Sequence, residues 1–287
     1  MRDTLFPRWQ GAFLAIFLLA DGLYLETSPE DIFSFLISTI IFALITFAYL
    51  KLLAHFNIRD FEALCLKIPS FIGKPLLFIV GLIAVSVLIL SGIRLSKFWQ
   101  ITAFPAIPQY LSMLVLFFVA WRAGRRGRTA VAMWAYPTAY LCIFIIIISL
   151  FITISDSTPE YAMNLPKYFT FGISTRFLYL IPALLLCTQT ENLPTTKHCT
   201  TGVIIGGLGL TLIALRAYLV LGLACSKLPY PCFSAAGVFS VGDFLQRGEV
   251  IFACSIVLCE AVRSSLMLTL AITCFRSAIP ALRKFKR

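Results

Sequence analysis

The chain predicts an all-α fold, a polytopic helical membrane bundle of about eight spans. Three observations lead there. First, 60% of the residues are hydrophobic, only 13% are charged, and mean hydropathy is +0.92. A soluble domain carries about 25% charged residues. Second, long apolar runs recur with only short polar stretches between them, none long enough to fold as a separate soluble domain. Third, the basic residues cluster in alternate connections, as the cytoplasmic loops of a multi-pass protein do.

The runs justify the elements in order. The first span covers Trp9 to Leu25, short for a bilayer that asks for about 20 apolar residues. It carries Asp21 and Gly22 near its far end, and an acidic loop from Glu26 to Asp31 follows. The second span runs from Ile32 to Leu50. Lys51 to Lys74 sets Phe56, Phe61, Leu64 and Ile68 among charges, the pattern of a segment lying along the interface. The third span runs from Pro75 to Lys97, and Phe104 to Pro108 forms a rigid proline turn. The fourth, Gln109 to Trp121, ends in a tight loop, Gly124 to Arg128. The fifth runs from Thr129 to Ile154, and the loop Ser155 to Lys167 follows. The sixth, Tyr168 to Cys187, is interrupted, since Gly172, Ser174, Thr175 and Arg176 precede Pro182. The seventh runs from Thr201 to Ala224, and its Gly202, Gly206, Gly207 and Gly209 suit close helix packing. Cys225 to Glu249 has room for a short helix before the eighth span, Val250 to Thr273, and the basic tail.

Orientation follows from charge. With the N-terminus in the cytoplasm, the inner segments hold Arg2, Arg8, Lys51, Arg59, Lys67 and Lys74. They also hold Arg122, Arg125, Arg126, Arg128, Lys197 and the tail from Arg276 to Arg287. The outer segments hold only Arg94, Lys97, Lys167, Lys227 and Arg247, while Arg176, Arg216 and Arg263 fall inside apolar runs. This bias predicts both termini in the cytoplasm. The net charge of +11 therefore reads as a headgroup-facing charge, with the lipid bilayer as partner. Nucleic-acid binding is not expected, because no basic face is interleaved with polar helix or aromatic strand.

Several functions lack their chemistry. No hydrolase elbow, Walker loop, H-E-x-x-H or paired-carboxylate signature is present, so no enzyme is expected. No cofactor and no metal site is expected. The nine cysteines form no C-x-x-C pair, and only His55 and His198 could join them. Cys225 and Cys232 fall in one loop and are able to pair; free buried thiols are the other reading. Arg2 and Arg8 precede an apolar run, but no small-residue cleavage site follows, so no cleaved signal is expected.

The informative residues are ionisable or helix-breaking ones inside spans, because charge at membrane depth normally faces a cavity or a partner. Asp21 with Gly22 marks a break of the kind that exposes backbone groups to a ligand in transporters; otherwise Asp21 sits at the outer interface beside Glu26. Arg176, near Gly172 and Ser174, either enters the same site or snorkels to the headgroups. Asp21 offers two chemistries: it binds an amine or cationic ligand, or it pairs with Arg176 and leaves no anion site. Arg216 needs a partner that the sequence does not name. Glu260 and Arg263, three apart, share a helical face and pair locally.

Several separated segments resemble one family, the B-subunit membrane proteins of spore germinant receptors, within the amino acid–polyamine–organocation transporter superfamily. They are Trp9-Gln10-Gly11 with Leu19-Ala20-Asp21-Gly22-Leu23, then Arg94 to Pro108, Gly124 to Pro137, and Ser240-Val241-Gly242-Asp243-Phe244-Leu245-Gln246-Arg247-Gly248-Glu249. The last is similar to the family's Glu-Arg-x-Glu entry to its eighth helix, with Gln246 in place of the first Glu. The resemblance implies a leucine-transporter-like bundle: a single transmembrane unit over 1–287, with a complete five-helix repeat in 1–154 and an incomplete three-helix repeat in 155–287. The last two helices of the ten-span family are absent. It implies ligand contact at Asp21, Gly22, Gly172, Ser174 and Arg176, and a structural role for Arg247 and Glu249. It implies a bacterial spore inner or cytoplasmic membrane, companion germinant-receptor subunits, and a small nutrient ligand such as an amino acid. The function expected is therefore a nutrient-sensing subunit that signals spore germination. A permease for amino acids or organic cations and an accessory subunit without ligand are the alternatives.

Overall fold

The computed structural model describes residues 6–25, 28–102, 108–153, 157–188, 195–237 and 248–279. It is all-α, with no strand among those residues. The α-helices are α1 (Pro7–Leu19), α2 (Pro29–His55), α3 (Phe61–Lys67), α4 (Ser70–Thr102), α5 (Gln109–Gly124), α6 (Arg128–Thr153), α7 (Pro159–Asn164), α8 (Leu180–Leu184), α9 (Thr195–Leu221), α10 (Pro231–Gly237) and α11 (Gly248–Ala278). Short 3₁₀ turns occupy Ala20–Leu23, Leu165–Tyr168, Thr175–Tyr179 and Gly222–Lys227.

Five helices, α2, α4, α6, α9 and α11, are long and apolar enough to cross a membrane. The other expected spans are helical but shorter: α1, α5, and the 3₁₀ turn Thr175–Tyr179 with α8. The sixth run is thus broken more severely than its glycine and proline alone indicate. Extended chain over 169–174 precedes only ten helical residues, Thr175–Leu184.

Boundaries shift where capping outweighs hydropathy. α2 begins at Pro29 rather than Ile32, because Asp31 Oδ2 accepts from both the Ser28 N–H and the Ser28 hydroxyl, each at 2.9 Å. α3 begins where Asp60 accepts from the Ala63 N–H at 2.9 Å. α4 begins at Ser70, so Pro75 lies inside it, near an end where one missing backbone bond is tolerated. The tight loop before α6 holds, with Gly127 at φ 93°. The proline turn ending at Pro108 lies outside the described residues up to residue 107.

α1 is the centre of the bundle. From Phe13 to Leu19 every residue is buried, and the helix packs on α9, α6 and α11. α11 is central too, against α4, α5 and α6, with 72% of its apolar window buried against 22% for the rim helix α6. α2 covers the outer side of α9.

The glycines of α9 explain the closest contact. A side chain at Gly202 would enter the backbone of Gly11, and one at Gly11 the carbonyl of His198. At Gly206 a Cβ would stand 2.8 Å from the Ala15 backbone. The seam exists because small residues let two backbones approach. Next to it, buried Gln10 closes the broken sixth run. Its Nε2 donates to the Thr188 carbonyl at 3.0 Å and hydroxyl at 3.2 Å, while its Oε1 accepts from the Thr188 N–H at 2.9 Å. The side chain supplies the bonds that a chain leaving its helix has lost.

Candidate functional site

Asp21 lies in the 3₁₀ turn that ends α1 and is 1% exposed. Packing of α1 in the middle of the bundle draws its end inside, so Asp21 faces other side chains rather than solvent. Its Oδ1 stands 2.8 Å from Arg263 Nη1 and 3.4 Å from Arg94 Nη1. Arg263, at the midpoint of α11, also holds Glu260 Oε2 at 2.6 Å through Nη2, the expected local pair. Its guanidinium centre is 5.7 Å from the Phe17 ring centroid. Two acids and two arginines thus tie α1, α4 and α11 together. Each charge has an opposite partner, as burial in low dielectric requires.

Arg94 faces two ways. Besides Asp21, it donates to the Tyr179 hydroxyl at 2.9 Å and stacks over that ring at 4.9 Å. Its side chain is 30% exposed, toward a cavity of about 440 Å³. α4 contributes Arg94 and Lys97 to the wall, and the 3₁₀ turn contributes Thr175, Arg176 and Tyr179. Tyr24, Pro229 and Tyr230 close it. Buried Phe98 braces two of these walls, with ring centroids 6.4 Å from Tyr24 and 5.2 Å from Tyr230. The cavity is of ligand size and mixes aromatic walls with convergent polar groups.

The sequence-predicted residues divide. Asp21 and Arg176 come to the same end of the bundle, but Asp21 pairs with Arg263 and Arg94 rather than with Arg176. The reason is reach: α11 flanks the end of α1 directly, and α4, packed on α11, extends the long Arg94 side chain to it. Its carboxylate is therefore engaged and offers no open cation site. Gly22 packs against α9 and α11, where a Cβ would meet Ile213 and Ile256 at 2.9 and 3.1 Å. Gly172 and Ser174 lie against α2. A Cβ at Gly172 would be 3.1 Å from Ser34 Oγ, and the Ser174 N–H donates to Ser38 Oγ at 2.8 Å. The Ser174 hydroxyl accepts from the Arg176 N–H at 3.4 Å, starting the 3₁₀ turn that aims Arg176. Glu249 stands in the first turn of α11 beside Gly237 of α10. Arg247 lies outside the described residues.

Arg216 has no carboxylate partner among the described residues. It donates to the Cys232 carbonyl at 2.6 Å and to the Ser149 hydroxyl, and it stacks on Phe252 at 4.3 Å. Cys225 and Cys232 are both buried, and the Cys225 thiol donates to the Ala217 carbonyl at 2.9 Å. At the other end of the bundle, Arg128 lies 3.6 Å from Asp60 and 3.4 Å from Glu62, and Ser277 donates to Glu62, tying α3 to α6 and α11.

Sequence reasoning missed Arg94, Lys97, Tyr24, Tyr179 and Tyr230 as cavity residues. Arg94 had a usable signal, since it precedes the end of its apolar run and is not in the flanking loop. The tyrosines had none. No family model matches the chain, and no curated protein or solved structure matches it.

Proposed function

We propose that this chain is a multi-pass membrane subunit that binds a small nutrient in the Arg94–Arg176 cavity and passes that event to companion subunits, as a spore germinant receptor does. The observation that carries the reading is a ligand-sized polar cavity whose floor residue, Arg94, also contacts the ion cluster at the break of α1. A ligand that engages Arg94 changes its balance with Asp21, and so reaches the two central helices. The sensing role and the spore membrane rest on the sequence resemblance. The positive-inside bias supports an outward-facing cavity.

A permease is the second reading, favoured by the end of α1 reaching Arg94, which lines the cavity. Thermal stability of the purified protein over a panel of nutrients tests binding, since a ligand selective for the folded state raises apparent stability. Uptake of the stabilising compound into proteoliposomes then separates the readings. Stabilisation without uptake supports a sensor, and uptake supports a permease. No stabilisation by any compound would leave only an accessory subunit without ligand.

A further inference from the structure

We infer that the cavity takes a small dianion, with its two negative charges on carboxylate or phosphate oxygens, rather than a zwitterionic amino acid or a cation. This rests on the binding reading above and names the chemical class of its ligand. Charge balance is the first argument. Asp21, Glu260, Arg94 and Arg263 cancel among themselves. Lys97 and Arg176 then face the cavity, and neither has an ion pair among the described residues. Among the described residues no acidic side chain lines the wall, and Glu249 stands instead at the far end of α10, beside Gly237. The unbalanced charge is that of two cations.

Donor chemistry is the second argument. The wall offers guanidinium and ammonium groups with the hydroxyl-bearing Thr175 and Tyr230 around them. Arg94 has spent two of its donors, on Asp21 and the Tyr179 hydroxyl, and retains others. Planar guanidinium groups match carboxylate and phosphate oxygens two at a time. Among the described residues an ammonium group would find no carboxylate in the lining. The nearest, Asp21, is held at 2.8 Å by Arg263. Aromatic faces attract a cation, but the two unbalanced cations, Lys97 and Arg176, repel it more strongly.

The test uses the full-length protein in detergent at constant ionic strength, with thermal stability and isothermal titration as readouts. The probes are succinate, inorganic phosphate, L-alanine and putrescine. Succinate or phosphate should stabilise the protein, while L-alanine and putrescine should not. Arg176→Gln should weaken dianion binding about tenfold to a hundredfold, the worth of one charge-assisted contact. Arg176→Lys should retain part of it. Both positions are partly open, so the variants should fold; an unchanged unliganded melting temperature checks this. Stabilisation by L-alanine or putrescine alone would overturn the dianion assignment and leave the binding reading intact. Stabilisation by none of a wide panel would overturn both. Dianion binding that is indifferent to Arg176→Gln and Lys97→Gln would place the anion elsewhere and overturn the site.

Discussion

Alanine substitutions along the α1–α9 seam should differ in sign, and the structure sets the order. Glycine inside a helix costs about 0.8–1 kcal/mol relative to alanine, so each change begins with that gain. At Gly202 the new methyl collides with the Gly11 backbone, and at Gly11 with the His198 carbonyl. Backbone cannot rotate away, so α1 and α9 must separate along a seam that both use. Overpacking of this kind costs about 1–3 kcal/mol or more, leaving a net loss of about 2 kcal/mol at the upper end. At Gly206 the nearest backbone atoms are 2.8 Å away, which predicts a smaller loss. At Gly207 the obstacle is Thr39, a stiff side chain fixed by its 2.7 Å bond to the Phe35 carbonyl. At Gly209 it is only the Leu19 Cδ2 tip at 2.6 Å, which can turn. Gly209→Ala should therefore be neutral or stabilising. The assay is thermal unfolding of the purified variants in one detergent, with folded yield by size exclusion. If Gly209→Ala loses as much as Gly202→Ala, or if Gly202→Ala loses nothing, the backbone-contact explanation of the seam is wrong.

Two further outcomes follow from the charges. Asp21→Asn leaves Arg263 with Glu260 alone and should cost about 3–5 kcal/mol, whereas Arg94→Gln, at a partly open pair, should cost no more than about 1 kcal/mol; equal melting shifts for the two would contradict this ranking. On α3, burial and then the Glu62 carboxylate raise the Cys65 thiol from its ordinary 9.0 to about 11. The folded chain thus holds that proton more tightly than the unfolded one. The associated stability is present below about pH 9 and is lost as pH rises toward 11, and alkylation of Cys65 should be slow at pH 8; rapid alkylation of the folded protein at that pH would refute the burial argument.

How much of this was legible depends on whether a signal is local. The all-α class, the apolar runs, the glycine seam and the Glu260–Arg263 pair all come from composition or from helical spacing, which the sequence carries directly. Asp21 was visible as a charge inside a run, but its partners were not. Arg94 and Arg263 lie 73 and 242 positions away in sequence, and only the packing of α11 on the end of α1 and of α4 on α11 selects them over Arg176. The start of α2 was misplaced because Ser28 and Asp31 cap it earlier than hydropathy indicates. The tyrosines of the cavity carry no signal of any kind, because an aromatic residue near a span end is ordinary in every membrane protein.

Among the described residues, the two buried arginines meet their charge in different ways. Arg263 is matched by acids, but Arg216 is held only by a carbonyl, a hydroxyl and an aromatic face. Those partners satisfy donors without cancelling charge, so the positive field of Arg216 persists. A cation entering the cavity meets Lys97 and Arg176, with Asp21 already engaged. An anion meets the same groups as attraction. The position of Asp21 in the sequence pointed to a cation site, and its position in the fold removes the free carboxylate on which that reading depended.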